Sequence, residues 1–405
     1  KTTHMIQAAM VAKKNNESDY LILACLLHDI GHFLAEDDMG GLGVIEHGKI
    51  GADFLRELNM EERVCNLVEN HVKAKKYLVS KYDEYYDKLS EASKQTLQYQ
   101  GGKMSKYEIE DFEKQKDFED ILKVRYCDDN GKQIGIDIPP IEIFTDLINN
   151  HLLYSKYNVQ LKENGYVLLK DFFSDEEANI IIDFKKQLET LPEEKGKWMI
   201  YYEKRGEGEY KSRIENFTYY QKNIETFIRN KIKPILDDVC QDNMVLFKDK
   251  MNWKLPKGDG FKAHQDQPAW SDFDIDRFYS VALFTCPSVK ENGCLQFVTN
   301  KKNIGILSEK GCISADLESQ FEWEYMETYP KDLLIFDSYI PHKSDKNNSD
   351  NSRSILYFTF NRLSDGIHYK EYNDKKRTYF PPPNERDGKE INAENNKYNL
   401  GNPLN

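Results

Sequence analysis

His28 and Asp29 stand side by side in an apolar stretch, Leu26-Leu27-His28-Asp29-Ile30-Gly31-His32. An imidazole beside a carboxylate within an apolar helix is costly to bury unpaired, yet the pair can ligate a metal ion and the carboxylate can bridge two. His4, His47, His71 and Asp128 can complete such a cluster, so the candidate ligands are His4, His28, Asp29, His47, His71 and Asp128. Singly, each has a plainer reading: His71 on an apolar face suits a hydrogen-bonded core histidine, and His4 and Asp128 suit the surface. A second constellation lies far downstream, where His264-Gln265-Asp266 is answered by His342. Two histidines and a carboxylate of this kind hold Fe(II) by one face and leave positions for a keto acid and O2. The H-x-D triplet alone arises readily by chance. Arg353 strengthens it, because it follows His342 by eleven residues, at the head of a strand, where a guanidinium can pair bidentately with a carboxylate.

The elements that must position these residues differ between the two halves of the chain. Ser18 is a plausible N-cap for a buried helix with an apolar body from Tyr20 to Leu27, carrying His28, Asp29 and His32. Asp38 to Val44, with three glycines, predicts a loop. His47 then opens a helix with an i, i+4 stripe of Ile50, Phe54 and Leu58, and a third helix from about Glu61 to Lys76 sets Val64, Leu67, Val68 and His71 on one face. After a closing helix through Ile141 to Leu153, the pattern changes near Tyr157. Ser174 to Leu191 predicts a capped helix, and Met244 to Leu255 alternates with a two-residue period that predicts a strand. Further strands are expected at 279–286, 294–298, 333–336 and 354–360, and the polar tail after Tyr372 reads as loop. The expectation is a multidomain chain: an all-α domain over 1–153, then a mainly β, double-stranded β-helix (jelly-roll, cupin-like) domain with flanking helices over 154–405.

Composition narrows the function classes. A net charge of −13 in 405 residues argues against nucleic acid as a partner. No apolar run approaches the ~20 residues of a membrane helix. Seven scattered cysteines without a C-x-x-C pair suggest neither a disulfide framework nor structural zinc, and fit a reducing cytoplasm.

His, then His-Asp, then a late Asp is the pattern of the HD superfamily, and His47 and His71 are the additions of its dinuclear members. Asp38-Met39-Gly40-Gly41, Lys49-Ile50-Gly51-Ala52-Asp53 after His47, His71-Val72-Lys73-Ala74-Lys75, Tyr99-Gln100-Gly101-Gly102 and Gly131-Lys132 after Asp128 carry the likeness further. Over residues 1–153 the chain resembles the mixed-valent di-iron oxygenases that cleave carbon–phosphorus bonds. The resemblance implies an Fe(II)/Fe(III) pair held by the six ligands, with Asp29 bridging. It implies that His32 and Lys75 contact the phosphonate and that Ser93, Thr96 and Gln100 line the pocket. The chain begins three residues before His4, so a Tyr and a Glu that this family carries ahead of its first ligand fall outside it, and with them its best marker of substrate choice.

Glu163-Asn164-Gly165-Tyr166-Val167, Asn292-Gly293-Cys294-Leu295-Gln296 and Asp332-Leu333-Leu334-Ile335-Phe336, set around the triad, resemble the phytanoyl-CoA dioxygenase family of Fe(II)/2-oxoglutarate oxygenases over about 157–380. The likeness implies mononuclear Fe(II) on His264, Asp266 and His342, with Arg353 on the distal carboxylate of 2-oxoglutarate. Lys250 and Asn252, on the polar face of their strand, are further co-substrate candidates, with solvent as the plainer destination. Thr299-Asn300-Lys301-Lys302 departs from the P-G-S-H turn of many members.

Together the resemblances imply a bifunctional oxidoreductase acting on a small organophosphonate such as 2-aminoethylphosphonate. One domain would hydroxylate C1 with 2-oxoglutarate and O2, and the other would cleave the product to inorganic phosphate. The rival is an HD phosphohydrolase fused to an unrelated hydroxylase. A regulatory protein with degenerate sites is disfavoured because every proposed ligand is intact. Oligomeric state is not legible in the sequence.

Overall fold

The structure is a computed structural model, and it describes residues 1–299, 304–308, 311–388, 391 and 398. Asn300–Lys302, in the turn that departs from the family pattern, lie outside the described residues. The chain forms two compact units, Lys1–Lys156 and Tyr157–Asn405.

The first unit is helical: α1 (Thr2–Lys14), α2 (Asp19–Leu27), α3 (His47–Glu57), α4 (Glu62–Lys81), α5 (Asp83–Lys88), α6 (Glu91–Tyr99), α7 (Lys106–Phe112), α8 (Phe118–Asn130) and the first part of α9 (Thr145–Asn164). Its core gathers Leu21, Leu23 and Leu26 of α2, Val64, Leu67 and Val68 of α4, and Ile121 and Val124 of α8. Two sequence expectations need correction. The helix carrying the His-Asp doublet stops at Leu27, and His28 and Asp29 form its exit into a 3-10 turn at Ile30–Phe33. The cause is close packing at Gly31, where a Cβ would lie 1.9 Å from the carbonyl oxygen of His47, so the chain must leave the helical path. The change of pattern near Tyr157 is also not a helix end, since α9 continues to Asn164.

The second unit is a sandwich of two antiparallel sheets. The larger, in the order β1 (Tyr166–Leu169), β9 (Leu333–Asp337), β6 (Tyr279–Phe284), β11 (Arg353–Arg362), β4 (Met244–Lys254), β3 (Gly208–Glu215), β2 (Met199–Arg205), faces a smaller one in the order β5 (Phe261–His264), β10 (His342–Ser344), β7 (Leu295–Val298), β8 (Trp323–Met326). Ala282, Phe284, Leu334, Phe336 and Ile355 of the large sheet pack with Leu295, Phe297 and Met326 of the small one, as inward side chains of facing sheets do. The sheet-rich unit is of the expected jelly-roll kind.

Helices α10 (Asp175–Thr190), α11 (Lys222–Phe227), α12 (Lys233–Cys240), α13 (Ala315–Glu318) and α14 (Tyr369–Tyr379) flank the sheets. Ser174 caps α10 in a reciprocal box with Glu177. The tail is not loop throughout, because α14 runs through Tyr372, burying Tyr369, Tyr372, Asn373 and Lys376 on one side. Its Lys376 pairs with Glu215 of β3 at 2.5 Å, both fully buried, so a polar sequence hides a docked helix. Among the described residues no helix is long and apolar enough to cross a membrane, and all seven cysteines are free.

Candidate metal centres and co-substrate pocket

Four histidines of the helical unit reach a common point from different elements: His4 on α1, His28 at the end of α2, His47 opening α3 and His71 within α4. Each donates its Nδ1 proton to a backbone carbonyl: His4 to Gly131 (2.9 Å), His28 to Cys25 (2.8 Å), His47 to Val44 (2.8 Å) and His71 to Val68 (2.6 Å). That fixes the tautomer and turns every Nε2 lone pair inward, the state a metal-ligating imidazole needs. Two ligand groups result, His4-His28-Asp29 and Asp29-His47-His71, with all donor atoms of each within 4.8 Å of one another. Asp29 belongs to both. Its Oδ1 lies 3.6 Å from His28 Nε2, 3.5 Å from His47 and 3.9 Å from His71, and its Oδ2 lies 4.0 Å from His4. Asp128, on α8, completes the first group at 2.9 Å from His4 Nε2.

Sequence reasoning missed what holds Asp128. Arg125, one turn earlier on α8 and buried, donates to Asp128 Oδ2 at 2.5 Å and also grips Asp129. The signal was present as R-x-x-D-D, with spacings i, i+3 and i+4 on one helix face. Gly131 permits the other contact, since a Cβ there would sit 2.8 Å from Ala8 N and part α8 from α1.

His32 differs from its neighbours. Its Nδ1 accepts the Val44 backbone N–H at 3.0 Å, so the neutral ring carries its proton on Nε2. Burial and the stacked His47 ring, 3.9 Å between centroids, hold it neutral and pull its pKa down to about 4. It is therefore a hydrogen-bond donor at the edge of the cluster, where an anionic ligand can accept from it. Lys75, one turn beyond His71 on α4, is buried and donates to Thr96 Oγ at 3.0 Å, and Thr96 donates to Ser93 O. The Ser93 hydroxyl is instead engaged with Ser90 at the start of α6. Gln100, ending α6, has a buried side-chain oxygen without a partner.

In the second unit, antiparallel pairing explains how residues far apart in sequence meet. His342 on β10 is the direct cross-strand partner of His264 on β5, and their rings lie 4.2 Å apart. Both donate through Nδ1 to local carbonyls, Lys262 and Ile340. The Nε2 atoms and the Asp266 carboxylate lie within 4.8 Å of one another. Burial and the neighbouring His342 pull the His264 pKa down to about 3. A neutral imidazole pair with a carboxylate is the donor chemistry of a 2-His-1-carboxylate iron site.

The pocket over this triad is lined by Lys248, Lys250, Asn252, Ser280, Tyr357, Thr359 and Arg353. The polar face of β4 thus turns to the inside of the sandwich, and the solvent-facing alternative for Lys250 and Asn252 is corrected, because the partners across the pocket are polar too. Arg353 is buried, touches Ser288 Oγ at 3.3 Å and keeps its Nε unpartnered. Asn252 Oδ1 is likewise buried without a partner. Orphaned polar groups at such positions fit a polar co-substrate that would satisfy them.

A family model described as phytanoyl-CoA dioxygenase (PhyH) matches residues 161–355, and an HD domain model matches residues 2–121. The 2-aminoethylphosphonate dioxygenase of an uncultured bacterium is 38% identical over 251 residues, 60% of this chain and 96% of that protein. An uncharacterized protein of Acanthamoeba polyphaga mimivirus is 42% identical over 160 residues, 38% of this chain and 73% of its own. The [1-hydroxy-2-(trimethylamino)ethyl]phosphonate dioxygenase (glycine-betaine-forming) of Leisingera caerulea is 36% identical over 148 residues, 36% of this chain and 75% of its own.

Proposed function

Because the chain belongs to the phytanoyl-CoA dioxygenase family, a family of oxidoreductases, and carries an HD domain ahead of that unit, we propose that it degrades a small organophosphonate in two oxidative steps. The second unit hydroxylates the carbon bonded to phosphorus: 2-oxoglutarate and O2 become succinate and CO2, and the C1–H bond becomes C1–OH. The first unit then breaks the C1–P bond with a second O2. It releases inorganic phosphate and leaves C1 as a carboxylate, which is glycine when the substrate carries a 2-amino group. Relatives named as dioxygenases of a phosphonate and of a hydroxyphosphonate, matched over 251 and 148 residues of this chain, support the pairing.

The observation that carries the reading is the sharing of Asp29 by two histidine groups whose Nε2 lone pairs all face inward. Asp29 shared between the two groups, with His4, His28, His47, His71 and Asp128 around it, would suit a dinuclear Fe(II)/Fe(III) centre. Bound iron at both centres would supply the activation of O2. His32 offers its Nε2 proton, and Lys75 its ammonium with Thr96 beside it, to the phosphonate oxygens, while Ser93 and Gln100 belong to the wall of that pocket. In the second unit Arg353 takes the distal carboxylate of 2-oxoglutarate, and Asn252 and Lys250 serve the end nearer the triad. A cytoplasmic setting accords with seven free thiols.

The test is ³¹P NMR of the full chain with Fe(II), 2-oxoglutarate, ascorbate and O2, offered 2-aminoethyl-, trimethylaminoethyl- and methylphosphonate. Inorganic phosphate is expected from at least one and only aerobically. Phosphate release from a phosphoester under nitrogen would establish the hydrolase instead. His264→Ala is expected to abolish conversion of the parent phosphonate and to spare the 1-hydroxy compound, and loss of both would refute the two-site scheme.

A further inference from the structure

The inward residues of β4 form a ladder whose rungs are fixed by strand pairing. Arg353 is opposite Lys254, Ile355 opposite Asn252, Tyr357 opposite Lys250 and Thr359 opposite Lys248. On the other side of β11, Thr359 is opposite Ser280. Lys248, Thr359 and Ser280 therefore share one rung, and all three line the pocket. That rung lies six residues along β4 from the Arg353 rung, about 20 Å at ~3.3 Å per residue. Four carbon–carbon bonds of ~1.5 Å separate the two carboxyl carbons of 2-oxoglutarate, which span at most about 6 Å. Asn252 and Lys250 occupy the rungs between, so they meet a keto acid anchored on Arg353 before Lys248 does. A 2-oxoglutarate anchored on Arg353 leaves Lys248 to another ligand.

Lys248 lacks a protein anion of its own. It is 7% exposed and, among the described residues, makes no hydrogen bond or ion pair; its ammonium lies 5.1 Å and 5.2 Å from the ring centres of Trp270 and Tyr372. The nearby carboxylates are committed elsewhere. Glu215 is held by Lys376 at 2.5 Å and Arg213 at 3.4 Å, and Asp266 belongs to the triad. Burial of the ammonium lowers its pKa, a cost that an incoming anion would remove. The hydroxyls of Ser280 and Thr359 hydrogen-bond to each other at 2.9 Å; one proton is free for an oxyanion oxygen, and the second becomes available when the ligand replaces that bond.

We propose that Lys248, with the hydroxyls of Thr359 and Ser280, is the phosphonate-binding subsite of the second unit, at the end of the pocket opposite Arg353. A tetrahedral dianion matches one ammonium and two hydroxyls on a single rung. Its carbon would then point along the ladder toward the triad. The inference rests on the reading of this unit as a phosphonate hydroxylase.

The test uses the full chain loaded with Fe(II) under nitrogen and follows binding by calorimetry, with the phosphonate that the wild type converts and, separately, with 2-oxoglutarate. Lys248→Met is expected to weaken the phosphonate about 10- to 100-fold, the usual range for a hydrogen bond to a charged group, and to retain 2-oxoglutarate affinity. Lys248→Arg should recover most of the loss. Thr359→Val, which keeps the shape, should weaken the phosphonate about 3- to 10-fold, and it carries the test if Lys248→Met fails to fold. Unchanged phosphonate affinity, or a loss confined to 2-oxoglutarate, overturns the subsite and leaves the function standing. A wild type that converts no phosphonate overturns the function itself.

Discussion

At the scale of single residues, the tautomers separate roles that composition could not. Four histidines point a lone pair inward, and His32 points a proton; all five are simply His in the sequence. The doublet and the H-x-D triplet were legible because their spacing is local. Arg125 was not singled out, because an arginine beside acidic residues on a helix is ordinarily a solvated ion pair. Arg125→Met is expected to weaken metal binding at the helical centre about 10- to 100-fold by releasing Asp128, with iron at the H-x-D site retained. Metal analysis of the variant, alone and combined with His264→Ala, checks this. Lys75 gives a pH prediction. Burial, with Arg125 facing it, depresses its pKa to about 7, below the ~10.4 of an unfolded lysine. Between these values the unfolded chain binds the extra proton, so this group makes stability rise with pH from about 7 to about 10. A bound phosphonate restores the charge, and binding above pH 7 is therefore accompanied by proton uptake. Calorimetry in buffers of different ionisation enthalpy measures it, and its persistence in Lys75→Met would remove Lys75 from that role.

At the scale of elements, the regular patterns were readable and the interrupted ones were not. β4 alternates in burial over Asp249–Trp253, beyond a bulge near Phe247, and α10 carries a complete capping box. Short β5 and β10 have too few residues to show a period, although they carry both histidines of the triad. Helix α14 was hidden because its buried side includes Asn373 and Lys376, whose burial depends on partners far away in sequence. Glu215→Gln leaves Lys376 and Arg213 facing each other in the interior and is expected to cost about 3 to 5 kcal/mol, read from urea unfolding. Gly31→Ala forces the 3-10 turn away from α3, since its methyl would meet His47 O at 1.9 Å. A loss of about 1 to 3 kcal/mol is expected, together with loss of iron from the helical centre. A variant that melts like wild type and keeps its iron would show that the turn can move freely.

At the scale of the molecule, the two units carry separate candidate metal sites, each built from residues within its own unit. Complementation follows from that separation. A mixture of His264→Ala and His71→Ala chains should convert the parent phosphonate to phosphate after a lag that shortens with protein concentration, because the hydroxylated intermediate must cross solution. Wild type at equal site concentration should show the shorter lag if tethering raises the local concentration, and equal lags would show free exchange. The chain bears a net charge of −13, yet Lys248, Lys250 and Arg353 line one pocket, and both molecules proposed to enter it are anions. Their approach is therefore opposed at long range and favoured only at contact. Salt at about 0.1 M shortens the reach of charge to ~10 Å, which screens the long-range repulsion more than the buried contacts. The second-order rate constant kcat/KM for the parent phosphonate should rise with ionic strength from a few millimolar to about 0.1 M, the reverse of an electrostatically steered encounter, and stopped-flow measurements across that range give its sign.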